Sequence, residues 1–316
     1  MKTKIWIWIG VILVLLGTLL FAAVMTANRW DFKALGTDTF KTAEYEFGEA
    51  FDDISVTVID ADVVFAPADG EKCRVVVYER EDEPHTVTVS DGTLSVRAND
   101  EREWFDHIGI NVGSPKVTVY LPEKEYGALT VKGVTGSVRI PADFRLESAD
   151  ISFTTGDTTV NAPISGTLKV VSTTGDITVG GITAKEMELG VTTGEIEISD
   201  VTCEKSVKIT VTTGETEIEN LTCASFASDG STGDITLKNV KASEKITVER
   251  STGDVKIDGS DAPALSLKTT TGDISGSLLT DKIYDVKTST GNISVPDSRP
   301  GGTCEIRTST GDVFFR

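Results

Sequence analysis

The sequence predicts an all-β protein: a single-stranded β-solenoid (β-helix) of about ten 19–20-residue coils, right-handed by the crossover rule, with an N-terminal β cap and one N-terminal transmembrane helix. Three observations predict it. A Thr-Gly pair recurs ten times in the carboxyl half at steps of 19 or 20 residues. The residues around each pair alternate apolar and polar with a period of two, the strand period, and not 3.6. An uncharged apolar run opens the chain, from Ile5 to Ala27.

That run (IWIWIGVILVLLGTLLFAAVMTA) spans roughly 34 Å as a helix at ~1.5 Å per residue, enough for ~30 Å of hydrocarbon. Trp6 and Trp8 stand near one end and Trp30 just past the other, where aromatic side chains meet a lipid–water boundary. A cleaved signal peptide is the rival reading, but its apolar core runs only ~7–15 residues, and Met25 and Ala27 make a poor cleavage signal. Residues 1–4 then form a short cytoplasmic tail. Lys2 and Lys4 are nearly balanced by Arg29 and Lys33, so orientation rests on the acidic body, which an anionic cytoplasmic leaflet repels. The expected location is the cell membrane, single-pass through residues 5–27, with the C-terminal body extracytoplasmic.

Residues 28–50 lack a sustained apolar period and read as a juxtamembrane spacer. Residues 51–127 read as an irregular β cap. Ile54, Val56 and Val58 alternate with polar neighbours, as do Cys73, Val75 and Val77, then Val117, Val119 and Leu121. Val87 and Val89 face Leu94 and Val96 across Ser90-Asp91-Gly92-Thr93, a hairpin signal. A cap is required because an open solenoid end exposes both core and strand edges.

Residues 128–316 hold the repeats. The corner glycines are Gly136, Gly156, Gly175, Gly194, Gly214, Gly233, Gly253, Gly272, Gly291 and Gly311, each preceded by Thr. Eight are followed by an acid: Asp157, Asp176, Glu195, Glu215, Asp234, Asp254, Asp273 and Asp312. Two and four residues after glycine run mostly β-branched columns, such as Ile177 and Val179 or Ile196 and Ile198. Seven and five before it run Leu168 and Val170, Met187 and Leu189, Val207 and Ile209. A third, shorter side carries Ile182, Val201, Leu221 and Val240. No unit buries its apolar side alone; stacked at ~4.8 Å, ten coils make a rod about 48 Å long. Glycine suits a sharp corner because it reaches positive φ without a Cβ penalty. Strict alternation turns the preceding Thr inward, its hydroxyl bonded to the turn. The last coil stops at Val313-Phe314-Phe315-Arg316: either those aromatic rings close the end themselves, or that coil is an open end where a partner docks or the chain self-associates.

Val117-Thr118-Val119-Tyr120-Leu121-Pro122 leading into Ser/Thr-Thr-Gly-Asp-Ile units resembles the bacterial putative adhesin family, a domain of unknown function built of β-strand repeats. The resemblance covers residues 51–316. It implies a β-solenoid and, through the family's name alone, surface adhesion; it carries no catalytic or binding residues. Some relatives look like accessory proteins of envelope-stress signalling in Gram-positive bacteria, which is the alternative function.

Composition narrows the chemistry. Thirty basic against 49 acidic residues give a net charge of −19 with no basic cluster, which excludes nucleic acid as a partner. No P-loop, HExxH, GxSxG or CxxC occurs, so no catalytic residue and no cofactor is expected. The acidic column is a weak calcium candidate, set against the plainer reading that carboxylates suit a solvated corner. Cys203 and Cys223 share a slot on successive coils and read as small core residues, although a disulfide between them is left open. Cys73 and Cys304 read as core, His85 and His107 are isolated, and the aromatic patch Trp104-Phe105-Asp106-His107 reads as cap packing. Carbohydrate-active β-helix enzymes, the remote alternative, build clefts from long corner loops, whereas no step between glycines here exceeds 20 residues. An ice-binding array is spoiled by Lys132, Glu249, Lys268 and Arg307 four before glycine. The expectation is a non-enzymatic, membrane-anchored surface scaffold or adhesin-like protein whose partner is a surface or envelope protein or a glycan.

Overall fold

The computed structural model describes residues 2–27, 29–30, 39–99 and 113–316. Helix α1 (Lys2–Ala27) contains one stretch, Trp6–Ala27, long and apolar enough to cross a membrane. Its large apolar side chains from Trp6 to Val24 are exposed, unlike those of a core helix. Thr18 and Thr26 donate their hydroxyls back to Val14 O (3.0 Å) and Ala22 O (2.7 Å), so their polar groups are satisfied within the helix. Arg29 and Trp30 close the helix in the left-handed region, and the Trp30 amide donates to Met25 O (2.7 Å).

The remaining strands form one continuous stack. In a central coil, strand Glu186–Thr193 packs on Ser206–Thr213, and Ile196–Cys203 packs on Thr216–Thr232, both parallel and in register. Leu189 therefore lies opposite Ile209, Ile198 opposite Ile218, and Val201 opposite Leu221, all fully buried. Like residues superpose because the repeat length hardly varies, and the interior becomes a set of apolar ladders.

The stack begins earlier than residue 128. Strands β1 (Phe40–Phe47), β2 (Asp53–Thr57), β3 (Asp62–Pro67), β4 (Cys73–Arg80), β5 (His85–Ser90), β6 (Thr93–Ala98) and β7 (Lys116–Leu121) precede the repeats. β2 pairs parallel with Glu125–Thr135, and β3 with Val138–Ile140, setting Ile54 opposite Leu129 and Val63 opposite Val138. β6 and β7 lie parallel on β2 and β3 in turn. The expected irregular cap thus contributes two coils that lack the Thr-Gly corner. β4 then lies antiparallel on β7 and β1 antiparallel on β4, while β5 closes the other side as a hairpin with β6. β1 falls inside the expected 28–50 spacer. Its Ala43, Tyr45 and Phe47 alternate as half-buried side chains, with Tyr45 and Phe47 packed against the core, a pattern of three positions within a polar segment. The hairpin turn is as expected, with Asp91 (φ 50°) and Gly92 (φ 75°) both left-handed.

The carboxyl end corrects the sequence reading. Thr303–Arg307 pairs parallel with Ala264–Lys268 on one side and with Ile283–Lys287 on the other. Val313–Phe315 likewise sits between Ile274–Leu278 and Ile293–Ser294. The chain skips one level after Leu278, builds the outermost coil, and returns to fill the gap. Val313-Phe314-Phe315-Arg316 is therefore no open end; the open coil is that of Gly291. Large against small is one reason for this order: buried Phe315 lies opposite Gly276, with its ring 6.2 Å from that of Tyr284. Lys282, 1% exposed, ties the crossing together through Asp261 Oδ1 (2.6 Å), Gly301 O (3.4 Å) and the Thr280 hydroxyl.

Arg250 brings a charged group into the core of the repeat coils. Arg250 is buried in the space that Gly230 leaves, and donates to Ser228 Oγ (2.9 Å), Ser228 O (3.3 Å), Thr216 Oγ1 (3.3 Å) and Glu249 O (2.9 Å). Burial lowers its pKa to about 10, so it stays charged at neutral pH. Thr216, Ser228 and Gly230 interrupt three apolar columns, and this one guanidinium satisfies the interruption.

The order of the last coils has a direct readout. Amides of Thr303–Arg307 will exchange with deuterium more slowly than those of Ile283–Lys287, although they lie nearer the terminus; coils stacked in chain order give the reverse. Phe315→Ala will cost about 3–5 kcal/mol of stability in denaturant unfolding, as loss of a buried aromatic ring does.

Candidate functional site

The corner glycines stack directly on one another. Gly214 has φ 142°, and a Cβ added there would overlap the carbonyl oxygen of Gly194. The same overlap recurs up the column, and it follows space rather than chain order: Gly311 meets Gly272, and Gly291 meets Gly311. Two requirements coincide at this corner, a positive φ and a backbone-to-backbone approach that no side chain permits.

The acidic column has a specific task. Asp157 Oδ1 accepts the Asp176 amide (2.9 Å), and Asp176 Oδ1 accepts that of Glu195 (2.8 Å). Asp234, Asp254 and Asp273 accept the amides of Asp254, Asp273 and Asp312 (2.8, 2.8 and 2.7 Å). Asp312 accepts that of Asn292 (2.7 Å), and Asp62 of the cap accepts that of Ser137 (2.8 Å). Each aspartate holds an amide of the next coil that faces away from the ladder. No such bond joins Glu195 to Glu215 or Glu215 to Asp234 among the described residues, since the longer side chain does not fold back as readily. Among the described residues no group of three or more His, Cys, Asp or Glu is placed to hold a metal ion.

Thr before glycine corrects the expectation. Thr155, Thr174, Thr193 and Thr213 are exposed, as are their neighbours Thr154, Thr173, Thr192 and Thr212. Alternation breaks here because two successive residues turn outward to reach the corner. The inward slot is three before glycine, where Thr269 Oγ1 donates to Gly253 O (3.0 Å), Thr308 Oγ1 to Gly272 O (3.1 Å) and Thr288 Oγ1 to Gly311 O (3.0 Å). A second corner, six residues after glycine, carries left-handed Gly181, Asp200, Asn220, Asn239 and Gly259. Asn220 Nδ2 donates to Asp200 Oδ1 (2.8 Å) and Asn239 Nδ2 to Asn220 Oδ1 (2.7 Å). The Gly/Asp/Asn column was the available signal for it.

The two ends of the rod differ. Antiparallel strands finish the N-terminal end, around buried Glu79, Arg80, Glu83 and His85. Glu79 Oε2 accepts the His85 amide (2.6 Å) and lies 3.0 Å from His85 Nδ1. Arg80 pairs with Asp60 and with Glu83 Oε2 (3.2 Å). Trp104-Phe105-Asp106-His107 lie outside the described residues. At the far end, Leu279 is 56%, Ile283 53% and Ile293 47% exposed, and Tyr284, Val286 and Val295 are only partly covered. The core columns of this coil, at Tyr284, Val286, Ile293 and Val295, reach solvent, while Ile283 lies on the outward face of its strand.

The four cysteines are buried and free, so Cys203 and Cys223 are unbonded. Cys203 Sγ donates to Lys185 O (3.3 Å) and Ser206 O (3.4 Å). Burial pushes the thiols of Cys73, Cys223 and Cys304 up to about 12. Surface grooves beside Asp62, Arg139 and Asp157 (about 360 Å³) and beside Leu265, Ile283 and Glu305 (about 430 Å³) are open depressions on sheet faces.

The family profile described as Toastrack DUF4097 matches residues 51–227 and 205–315. No curated protein matches the chain. Among solved structures, a putative lipid binding protein from Parabacteroides distasonis is 18% identical with a TM-score of 0.48, over 76% of this chain and 95% of its own. A putative adhesin from the same organism is 12% identical with a TM-score of 0.46, over 88% and 98%. A putative adhesin from Bacteroides fragilis is 15% identical with a TM-score of 0.41, over 88% and 97%.

Two measurements probe this geometry. Asp254→Ala will lower stability by about 1 kcal/mol and Asp254→Asn by much less, because asparagine keeps the accepting oxygen; Gly214→Val will lower the melting temperature far more than Glu217→Val. The thiols ionise near 9 when unfolded and near 12 when folded, so stability present below pH 9 is lost as pH rises toward 12. A Cys304→Ala variant will lose stability less steeply across that window.

Proposed function

The chain belongs to the Toastrack DUF4097 family, and from that premise we propose that it is a non-enzymatic, membrane-anchored extracytoplasmic β-solenoid that serves as a surface scaffold or adhesin-like binding protein. The observation that carries this reading is the contrast between the two ends of the rod. An exposed apolar helix leads into the end closed by antiparallel strands, and the opposite end leaves its core columns uncovered.

A tethered rod of this kind holds its far coil away from the bilayer. Twelve parallel strands stack from β7 through Ile293–Ser294 among the described residues, which at ~4.8 Å per level gives a length of roughly 58 Å. The non-enzymatic reading is supported by what the polar groups already do: corner aspartates accept amides, the Arg250 guanidinium is satisfied inside the core, and the thiols are buried. The partner class is a surface or envelope protein or a glycan.

Fractionation of cells that express the full chain tests the anchor. Retention in the membrane pellet after an alkaline wash, with the body cleaved by protease added outside intact cells, is the expected result. Release of a body whose new amino terminus lies beyond Ala27 overturns anchoring, and protection of the body from external protease overturns the outward orientation.

A further inference from the structure

The open coil has an edge that matches itself. Strand Ile283–Lys287 is the last on its side, with one neighbour, Thr303–Arg307. Ile283 donates its amide to Gly302 O (2.8 Å) and Lys287 O accepts from Thr308 (3.0 Å), so odd-numbered residues turn their backbone groups inward to that neighbour. Even-numbered residues then turn theirs outward. Tyr284 N accordingly donates away from the neighbour, to Ser298 Oγ (3.0 Å), and Lys282 O accepts from Arg299 N (2.9 Å), so residues 298–299 cover the start of this flank and leave it open only from Asp285 onward. Val286 holds the next outward amide and carbonyl, in the middle of the edge.

The side chains repeat this symmetry. Ile283, Asp285 and Lys287 face outward and exposed, while Tyr284 and Val286 face the half-open core. On the neighbouring strand Glu305 lies opposite Asp285 and Arg307 opposite Lys287, like beside like; the diagonal Arg307–Asp285 pair relieves only part of this. The free flank of the strand therefore favours a basic group beside Asp285 and an acidic one beside Lys287.

We propose that this edge pairs with the same edge of a second copy of the chain, tail to tail, about a twofold axis at Val286. Antiparallel pairing there lets the two Val286 residues exchange both backbone hydrogen bonds. It sets Asp285 opposite Lys287 of the other copy, twice, and brings the half-open core at Val286 under cover. A twofold contact closes on itself, so the product is a dimer and not a fibre. The N-terminal end does not compete for this coil, because antiparallel strands already finish it and the helix precedes them. The proposal goes beyond the anchoring reading and does not depend on it.

The test uses the full chain in detergent micelles, with its mass measured by light scattering up to about 100 µM. A dimer is expected. Asp285→Lys sets lysine against lysine across the axis, and Lys287→Asp sets aspartate against aspartate, so each will raise the dimer dissociation constant by at least about tenfold. The double variant D285K/K287D restores opposite charges across the axis, and within the chain it places lysine beside Glu305 and aspartate beside Arg307; it will recover the dimer. Matching circular dichroism and melting temperature show that the variants fold. A dimer indifferent to both single changes assigns association to the helix and overturns the proposal, as does a double variant that stays monomeric. A chain that is monomeric at every concentration also overturns it, and leaves the edge to a foreign strand. Membrane fractionation is read independently, so failure here leaves the anchoring result untouched.

Discussion

Backbone contact between consecutive corners is the constraint on which the rest depends. A β-solenoid holds its coils ~4.8 Å apart, and at a sharp corner that spacing leaves no room for a Cβ pointing along the axis. The column from Gly136 to Gly311 meets this with positive φ and with carbonyl oxygens seated where the next coil's Cβ would be. Once the corners are in contact, the strands on either side have no freedom to slip. A one-residue slip would also turn every buried column to solvent. The regular spacing of Leu189 over Ile209 or Ile198 over Ile218 is the consequence.

Polar groups are arranged to preserve that contact. The tight corner turns an amide away from the ladder, and the aspartate of the adjoining coil accepts it, so an outward carboxylate becomes a cross-coil fastener. Glutamate at two levels lacks this bond among the described residues, which separates the side chains that fasten from those that only carry charge. The surplus negative charge keeps the rod soluble, and it crowds like charges along one edge. Cross-coil pairs such as Lys205–Glu186 (3.1 Å) and Lys268–Glu249 (3.4 Å) balance part of it on the sheet faces, where each is worth little.

The two ends resolve the edge problem differently. Antiparallel strands and a buried charged cluster close the N-terminal end. At the far end the chain tucks its own terminus inside, so that Phe315 is buried while Ile283 and Ile293 are exposed. A fold made of equivalent coils can be extended wherever an edge is open, which is why protection of edges, and not the core, decides what such a rod can bind.

Much was legible in the chain because it is written in periods. The 19–20-residue recurrence, the period-two columns, the apolar helix and the Asp91-Gly92 turn are local patterns, and each maps onto one element. Other features were not legible, for three physical reasons. β1 and the early coils of β2, β3, β6 and β7 lack the corner glycine, and only their long-range register with Leu129 and Val138 marks them as part of the stack. The outward turn of Thr155 and the inward reach of Arg250 depend on the three-dimensional path of the corner and on space left by Gly230, not on parity. The order of the last two coils was invisible because their column residues are nearly interchangeable: Tyr284 and Cys304, Val286 and Ile306, Ile293 and Val313. The sequence alone determines that such coils stack like upon like; which coil lies beside which is decided only by packing, where Phe315 meets Gly276 and Lys282 meets Asp261.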